Sequence, residues 1–477
     1  MSTHKKELVR GTLWSVGGQT IALGISLLAN IWLARLLNPK DFGQIGIILF
    51  FIIISRVISE SGLAGALIRK KNASKLDYST VFIVNVFISL FCFILLVLFS
   101  GNISNYYNDP LLKNLLIGSS FVLLINAFQV IQNAKLISEM RFKQKSFYWF
   151  LAILISSITG VLLAYNGFGV WSIVIMQLLN SAIYTILLWI FEGFYFYIKF
   201  SKKSFLELYS FGLNTTLASL LNVGFDNIYQ LVLGKYFSIT QVGFYYQAKR
   251  LNDVPGGVIN LLSQGVVFSS LSKLHDNKEK FIRYFSKISL FFTVLLGLIS
   301  LLVYVFSEQI ILFLFGEKWM SSVFFLKLLT VASFFYFQDL INRVIFKVFD
   351  KTKQILYLEI LKKAIQLVSI VIGVIYLDLQ ILLFGFVISS FLSFLMIYYF
   401  SRKVINHINN KELFKTFAVV LLVVFLILVF KYIENVFNLT GYNTVIILPL
   451  LIFAYFFLLK YFRIYNMLNN LKLILKF

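Results

Sequence analysis

The sequence predicts an all-α, polytopic membrane protein of about fourteen transmembrane helices, and three observations carry that prediction. Of its 477 residues 59% are hydrophobic and only 13% are charged, against about 25% charged in soluble domains. Apolar runs of about 18 to 25 residues recur along nearly the whole length, long enough to cross a ~30 Å hydrocarbon core as helices. The basic residues collect in alternate loops, the positive-inside pattern of a multi-pass protein. Mean hydropathy is +0.86. Backbone polar groups in lipid must be satisfied within each segment, and no alternating barrel strands are present, so the spans read as helices.

Taken in order, the expected spans run roughly 11 to 36, 44 to 68, 80 to 100, 111 to 134, 147 to 165, 170 to 190, 209 to 234, 244 to 271, 284 to 306, 322 to 348, 356 to 377, 379 to 400, 416 to 433 and 443 to 460. The start, MSTHKKELVR, has the charge of a signal n-region. The apolar stretch behind it is too long and lacks a small-residue cleavage site, so it stays as the first helix. One face collects Lys5, Lys6 and Arg10; Arg69, Lys70, Lys71 and Lys75; Lys135, Arg141, Lys143 and Lys145; and Lys199, Lys202 and Lys203. It continues with Lys273, Lys278, Lys280, Arg283, Lys351, Lys353, Arg402, Lys403, Lys411, Lys415, Arg463, Lys472 and Lys476. The other face holds Lys40, Lys113, Lys318 and Lys431 against Asp41, Asp109, Glu308, Glu317, Asp378 and Glu434. The bias puts both termini in the cytoplasm. All loops are short, and the longest, 191 to 209, suits a helix lying in the cytoplasmic interface.

This distribution also accounts for the net charge of +23, so nucleic acid is not an expected partner. The one cysteine, Cys92, and the scattered His4, His275 and His407 make neither a disulfide framework nor a metal site. No cofactor is expected. There is no G-x-x-x-x-G-K-[ST] loop for an ATPase, and the outer loops are too short for the catalytic site of a glycan polymerase or ligase.

A repeat divides the chain. Leu33-Ala34-Arg35-Leu36-Leu37 and Gly43 match Leu233-Gly234-Lys235-Tyr236-Phe237 and Gly243 at an offset of 200. Six spans separate the copies, so two parallel six-helix repeats are expected, with the substrate site between them. The expected parts are residues 1–200 and 201–410 as six-helix lobes, and 411–477 as two further helices with a basic tail.

Charges inside spans cost about 2.5 to 3.5 kcal/mol each on insertion scales and need a partner, a cavity or a substrate. Arg56 and Glu60 share a helix face four residues apart, among Ser55, Ser59, Ser61 and Gly62. Asp226 stands beside Asn227 in the seventh span, where it could pair with Arg250. Lys249, Arg250 and Asp253 precede Pro255-Gly256-Gly257 in the eighth, a triplet that predicts a bend or hinge near the charges. Asp339 and Arg343 form another i,i+4 pair in the tenth. Arg56, Lys249, Arg250 and Arg343 are the candidate anion-binding residues, because a guanidinium can donate two parallel hydrogen bonds to phosphate oxygens. Glu60, Asp226, Asp253 and Asp339 are candidate charge partners or ion-coupling sites. Each pair also reads as a structural ion pair, Lys249 as a snorkelling side chain, and the Pro-Gly-Gly triplet as a static kink.

At these positions the sequence resembles a known family. LARLLNPKDFG (33–43), SGLAGALIRKKNASKLDYSTVF (61–82), NAFQVIQNAKL (126–136), GFGVWSIV (167–174), FDNIYQLVLGKYFS (225–238) and GFYYQAKRLNDVP (243–255) resemble Wzx-type polysaccharide exporters. The nearest branch is that of the colanic and teichuronic acid exporters, in the multidrug/oligosaccharidyl-lipid/polysaccharide exporter superfamily. The resemblance covers about the first 410 residues and departs at Phe268-Ser269-Ser270-Leu271-Ser272-Lys273, where the family often has Phe-Pro before Leu-Ser-Lys. It implies two lobes around a V-shaped cavity, plus two further helices. It also implies translocation of an undecaprenyl-diphosphate-linked oligosaccharide across a bacterial cytoplasmic membrane, for O-antigen, capsule or exopolysaccharide, with lining basic residues. Membrane lipids and a polysaccharide polymerase or assembly proteins are the partners it implies. The alternative is a cation-coupled drug exporter of the multidrug and toxin extrusion type. Against that stand the two extra spans and the surplus of positive charge in the lobes.

Overall fold

The computed structural model describes residues 3–60, 62–70, 72–193, 198–261, 263, 267–406, 410–437 and 441–465. Ser61, Lys71, His407, Lys472 and Lys476 lie outside the described residues. Among the described residues the regular structure is entirely helical: α1 Thr3–Leu36, α2 Pro39–Glu60, α3 Leu63–Arg69, α4 Lys75–Tyr106, α5 Leu111–Ala127, α6 Val130–Ser138, α7 Phe142–Tyr165, α8 Trp171–Glu192 and α9 Lys202–Tyr236. There follow α10 Ile239–Leu261, α11 Phe268–Ser272, α12 Lys278–Val305, α13 Ser307–Leu314, α14 Ser322–Val348, α15 Thr352–Ile375, α16 Leu379–Val404, α17 Asn410–Val436 and α18 Leu448–Tyr461.

Among the described residues, 9 helices are long and apolar enough to cross a membrane, and up to 10 if α5 and α6, bent by 45°, count as one span. Each of the other expected spans falls on a helix, but charge dilutes some of them: α10 carries Lys249, Arg250 and Asp253, and α15 carries Glu359, Lys362 and Lys363. The connection before α9 differs from the expected interfacial helix. Of its residues, 198–201 are non-helical and tied to α4: Lys199 N donates to Ser79 Oγ at 2.9 Å, Ser79 Oγ donates to the Lys199 carbonyl at 2.7 Å, and Ser201 N donates to Thr80 Oγ1 at 3.1 Å. Ser201 caps α9 by accepting from Ser204 N, so Lys202 and Lys203 open the long helix instead.

The chain divides into two compact units, Met1–Tyr246 and Gln247–Phe477, with the division inside α10. In the first unit α1 packs on α7, α4 on α5, and α2 lies among α4, α5 and α9. The start of α10 belongs here because it crosses the start of α2 on two glycines. A Cβ on Gly43 would fall on the Ile239 carbonyl, and a Cβ on Gly243 on the Pro39 carbonyl, 3.2 Å from Gly43 N. Pro39 and Ile239 are themselves 200 residues apart, so each copy of the repeat meets the other through the same residues, as a two-fold relation requires. Only glycine lets the backbones approach this far.

In the second unit α14 is central: 67% of its apolar window is buried, between α12 and α16, with α15 on α16 and α17 on α12. Its core is rich in phenylalanine, with Phe281, Phe285, Phe346 and Phe394 all fully buried. Arg402, read from the sequence as a loop residue, is buried at the end of α16. It bonds Glu412 Oε2 from Nη2 at 2.6 Å and from Nε at 3.0 Å, and Asn342 Oδ1 at 3.1 Å, over the rings of Phe285 and Tyr398.

Candidate functional site

Two helices of the first unit break side by side, and a cavity opens between the breaks. The α2 helix stops at Glu60, and α3 restarts after Gly62, whose φ of 63° is a left-handed conformation that glycine adopts without strain. The other break is the 45° bend between α5 and α6, at Phe128-Gln129. Non-helical backbone at membrane depth is tolerated where it lines a cavity. Here the cavity measures about 150 Å³ and is lined by Arg56, Ser59 and Glu60 from α2, Asn85 from α4, and Asn126, Gln129 and Asn133 from the broken pair.

Arg56 and Glu60 pair at 3.4 Å through Nε, each 53% exposed, so neither is consumed by the contact. Four amides share the wall with Ala64, Ile68, Ala127, Val130, Ala134 and Ile137. Asn85 Nδ2 donates to the Ser59 carbonyl at 2.7 Å, which satisfies a backbone group freed by the end of α2. Gln129 Nε2 donates to Asn126 Oδ1 at 2.6 Å, and Tyr184 OH to Asn133 Oδ1 at 2.5 Å. These bonds leave the Nδ2 groups of Asn126 and Asn133 without a partner among the described residues, and Gln129 Oε1 buried without one. Arg56 and Glu60 are visible as charges in an apolar run, whereas the amides went unassigned. The signal for three of them lay in NAFQVIQNAKL, which puts Asn126, Gln129, Gln132 and Asn133 into eight residues (126–133) of a span; Asn85 stands outside that run.

The basic end of this unit is braced by further ion pairs. Lys70 donates to Glu207 Oε2 at 2.9 Å and to Asp77 Oδ1 at 3.0 Å. The Glu207 bond, then Asp77, hold its ammonium above the usual lysine range despite partial burial. Arg141 grips buried Glu192 with both nitrogens, at 2.5 and 3.0 Å, and Tyr148 OH donates to the same carboxylate at 3.1 Å.

The remaining expected residues fall elsewhere. Asp226 is exposed on α9 in the first unit, and Arg250 is half-buried on α10 in the second. Lys249 donates to Asp253 Oδ2 at 2.9 Å, an exposed i,i+4 pair. The α10 helix runs unbroken through Pro255, Gly256 and Gly257 to Leu261, and π-helical residues follow at 263 and 267, so the irregularity lies beyond the triplet. Gly256 packs against α14, where a Cβ would meet the Phe337 ring at 2.8 Å. Asp339 and Arg343 pair as expected, Nε to Oδ1 at 3.1 Å and Nη2 to Oδ2 at 2.9 Å. They join two residues of α15: Arg343 also reaches Glu359 at 2.5 Å, Lys362 reaches Glu359 at 2.9 Å, and Lys362 bonds Asp339. Two cations and two anions balance, so the Arg343 guanidinium is already spent on carboxylates.

A multi-pass helical membrane protein of the transporter fold results. Over 95% of its length it superposes on 99% of the lipid II flippase MurJ in an inward closed conformation, with a TM-score of 0.77 and 17% identity. An inward-facing multidrug resistance MATE transporter gives 0.61 over 80% of this chain and 94% of that one, at 18% identity. Residues 32–324 match the family described as polysaccharide biosynthesis protein, and the chain belongs to that family. It is 27% identical over 338 residues to the lipopolysaccharide biosynthesis protein WzxC of Escherichia coli K12, covering 69% of this chain and 67% of that one. To the succinoglycan biosynthesis transport protein ExoT of Rhizobium meliloti it is 24% identical over 324 residues, covering 67% and 64%.

Proposed function

We propose that the chain is a flippase that moves an undecaprenyl-diphosphate-linked oligosaccharide from the inner to the outer leaflet of a bacterial cytoplasmic membrane by alternating access, with both termini in the cytoplasm. The observation that carries this reading is the cavity at the double helix break, which lies within the region matched by the polysaccharide biosynthesis family and presents Arg56 at its wall. The fold by itself is shared with drug transporters, so the choice of cargo rests on the family and on charge. A half-exposed guanidinium beside uncharged amides suits a phosphate anion and is a poor host for a cationic drug.

In this reading Arg56 makes the first contact with the diphosphate, and Glu60 holds the guanidinium until the anion displaces it. Lys249 and Arg250 on α10 are further basic candidates for contact with the anion, and Arg343 belongs to the structural quartet. The positive loops, among them Arg69, Lys70 and Arg141, mark the cytoplasmic end. The cavity lies near that end, where a substrate made in the cytoplasm would load.

Deletion of the chain from its host tests the reading. Surface polysaccharide should be lost, lipid-linked oligosaccharide should accumulate in the inner leaflet, and Arg56→Ala or Arg250→Ala should fail to restore export at normal protein level. Unchanged glycan with raised drug sensitivity would point to the drug exporter instead.

A further inference from the structure

We propose that a groove at the basic end of the first unit is a site for one anionic phospholipid, with an acyl chain in the groove and the phosphate at Lys202 and Lys203; the flippase reading is not needed for it. The groove measures about 470 Å³ and lies among three elements, with Leu63 from α3, Val84 and Phe87 from α4, Phe200 from the segment before α9, and Phe205 and Tyr209 from α9. Every lining residue is aliphatic or aromatic. Its roof is anchored, because Ser79 and Thr80 of α4 bond the backbone at Lys199 and Ser201. Phe200 sits between those anchors, one helical turn from Ile83 and Val84. Phe200 and Phe205 stand 6.1 Å apart, and Phe205 stacks on Tyr209 at 5.1 Å. Phe87 is 67% exposed and Phe200 54%, an apolar surface that hydrocarbon covers at less cost than water. Charge selects the headgroup. Lys202 lies three residues before Phe205 and seven before Tyr209, so it shares their face of α9, and Lys203 follows it. Both lysines are exposed and make no ion pair among the described residues. The neighbouring carboxylates are committed to Lys70, Glu207 at 2.9 Å and Asp77 at 3.0 Å. Ammonium groups first and rings deeper, over about 10 Å of helix, is the order of a phospholipid, phosphate and then hydrocarbon. The cargo fits less well, since its cavity is lined by Ala64 and Ile68, on another face of α3 from Leu63. A phospholipid here joins α3, α4 and α9 through hydrocarbon, as Lys70 joins them through charge.

The test places the full chain in phosphatidylcholine nanodiscs that hold a small fraction of phosphatidylglycerol with a photoreactive diazirine on its acyl chain, and maps the labelled peptides. Labelling should concentrate on residues 83–88 and 205–209. Unlabelled phosphatidylglycerol in excess should suppress it, and zwitterionic phosphatidylethanolamine should not. A lysine near the membrane surface favours anionic lipid by about fivefold, so the double variant Lys202→Gln with Lys203→Gln should lower labelling about fivefold or more. Its melting temperature checks that it folds; should it melt early, the competition alone decides. Labelling spread evenly over the lipid-facing helices, equal competition by phosphatidylethanolamine, or undiminished labelling in the folded double variant would each overturn the site. Displacement of the probe by undecaprenyl diphosphate and not by unlabelled phosphatidylglycerol would also overturn it, and would give the groove to the cargo lipid.

Discussion

Replacing Asp339 with asparagine should destabilise the second unit severely and should do so without touching the substrate path. Asp339 is 2% exposed and accepts from Arg343 Nε and Nη2 and from Lys362. Asparagine keeps the shape but leaves two cations sharing Glu359, so the quartet changes from neutral to a net charge of +1. Removing one partner of a buried pair costs about 3–5 kcal/mol, because an uncompensated charge stays behind. The double variant Asp339→Asn with Lys362→Met returns the group to neutrality, with the Arg343–Glu359 pair intact, and should recover most of that loss. Thermal unfolding of the purified proteins in one detergent, together with membrane yield, measures both. A single variant as stable as the parent, or a double variant no better than the single, would refute the view that these charges serve packing.

Other parts of the account are as exposed to test. Gly43→Ala and Gly243→Ala should each cost at least about 1–3 kcal/mol, the usual toll of overpacking, since each new methyl meets backbone that has no rotamer to yield; a variant with unchanged melting temperature would contradict the crossing. The Lys70 cluster should lend stability that is steady around neutral pH. Its ammonium pKa is raised in the folded chain, so its contribution is complete below the ordinary lysine value and is lost as pH rises through the raised one. The difference in stability between the parent and Lys70→Met should therefore stay constant through neutral pH, shrink in strong alkali, and shrink also in acid as Asp77, whose pKa is lowered in the folded chain, takes up its proton. A difference that changes between pH 6 and 8 would show that other groups dominate.

The membrane class and the helices were legible because apolar length and loop charge are properties of single segments. The repeat was legible too, since Gly43 and Gly243 stand at the same place in two similar hairpins, but their mutual contact depends on how α2 and α10 cross. Arg56 and Glu60 could be picked out because a charge in an apolar run is conspicuous. Asn126, Gln129 and Asn133 are quieter: an amide in a span reads as tolerated polarity until the bend between α5 and α6 turns three of them to one cavity. Glu359 and Lys362 were passed over for a related reason, since their partners are on α14, not on α15. Arg402 shows the opposite error, in which a basic residue near a helix end was read as loop charge although Glu412 draws it inward.

Translocation measured in proteoliposomes tests the central claim most directly. With an undecaprenyl-diphosphate-linked oligosaccharide as cargo, the unaltered chain should speed transfer between leaflets, and Arg56→Lys should retain part of that rate as a point charge without the planar fork. Arg56→Ala should fall to the rate of protein-free vesicles. Transfer by Arg56→Ala as fast as by the parent would contradict the account.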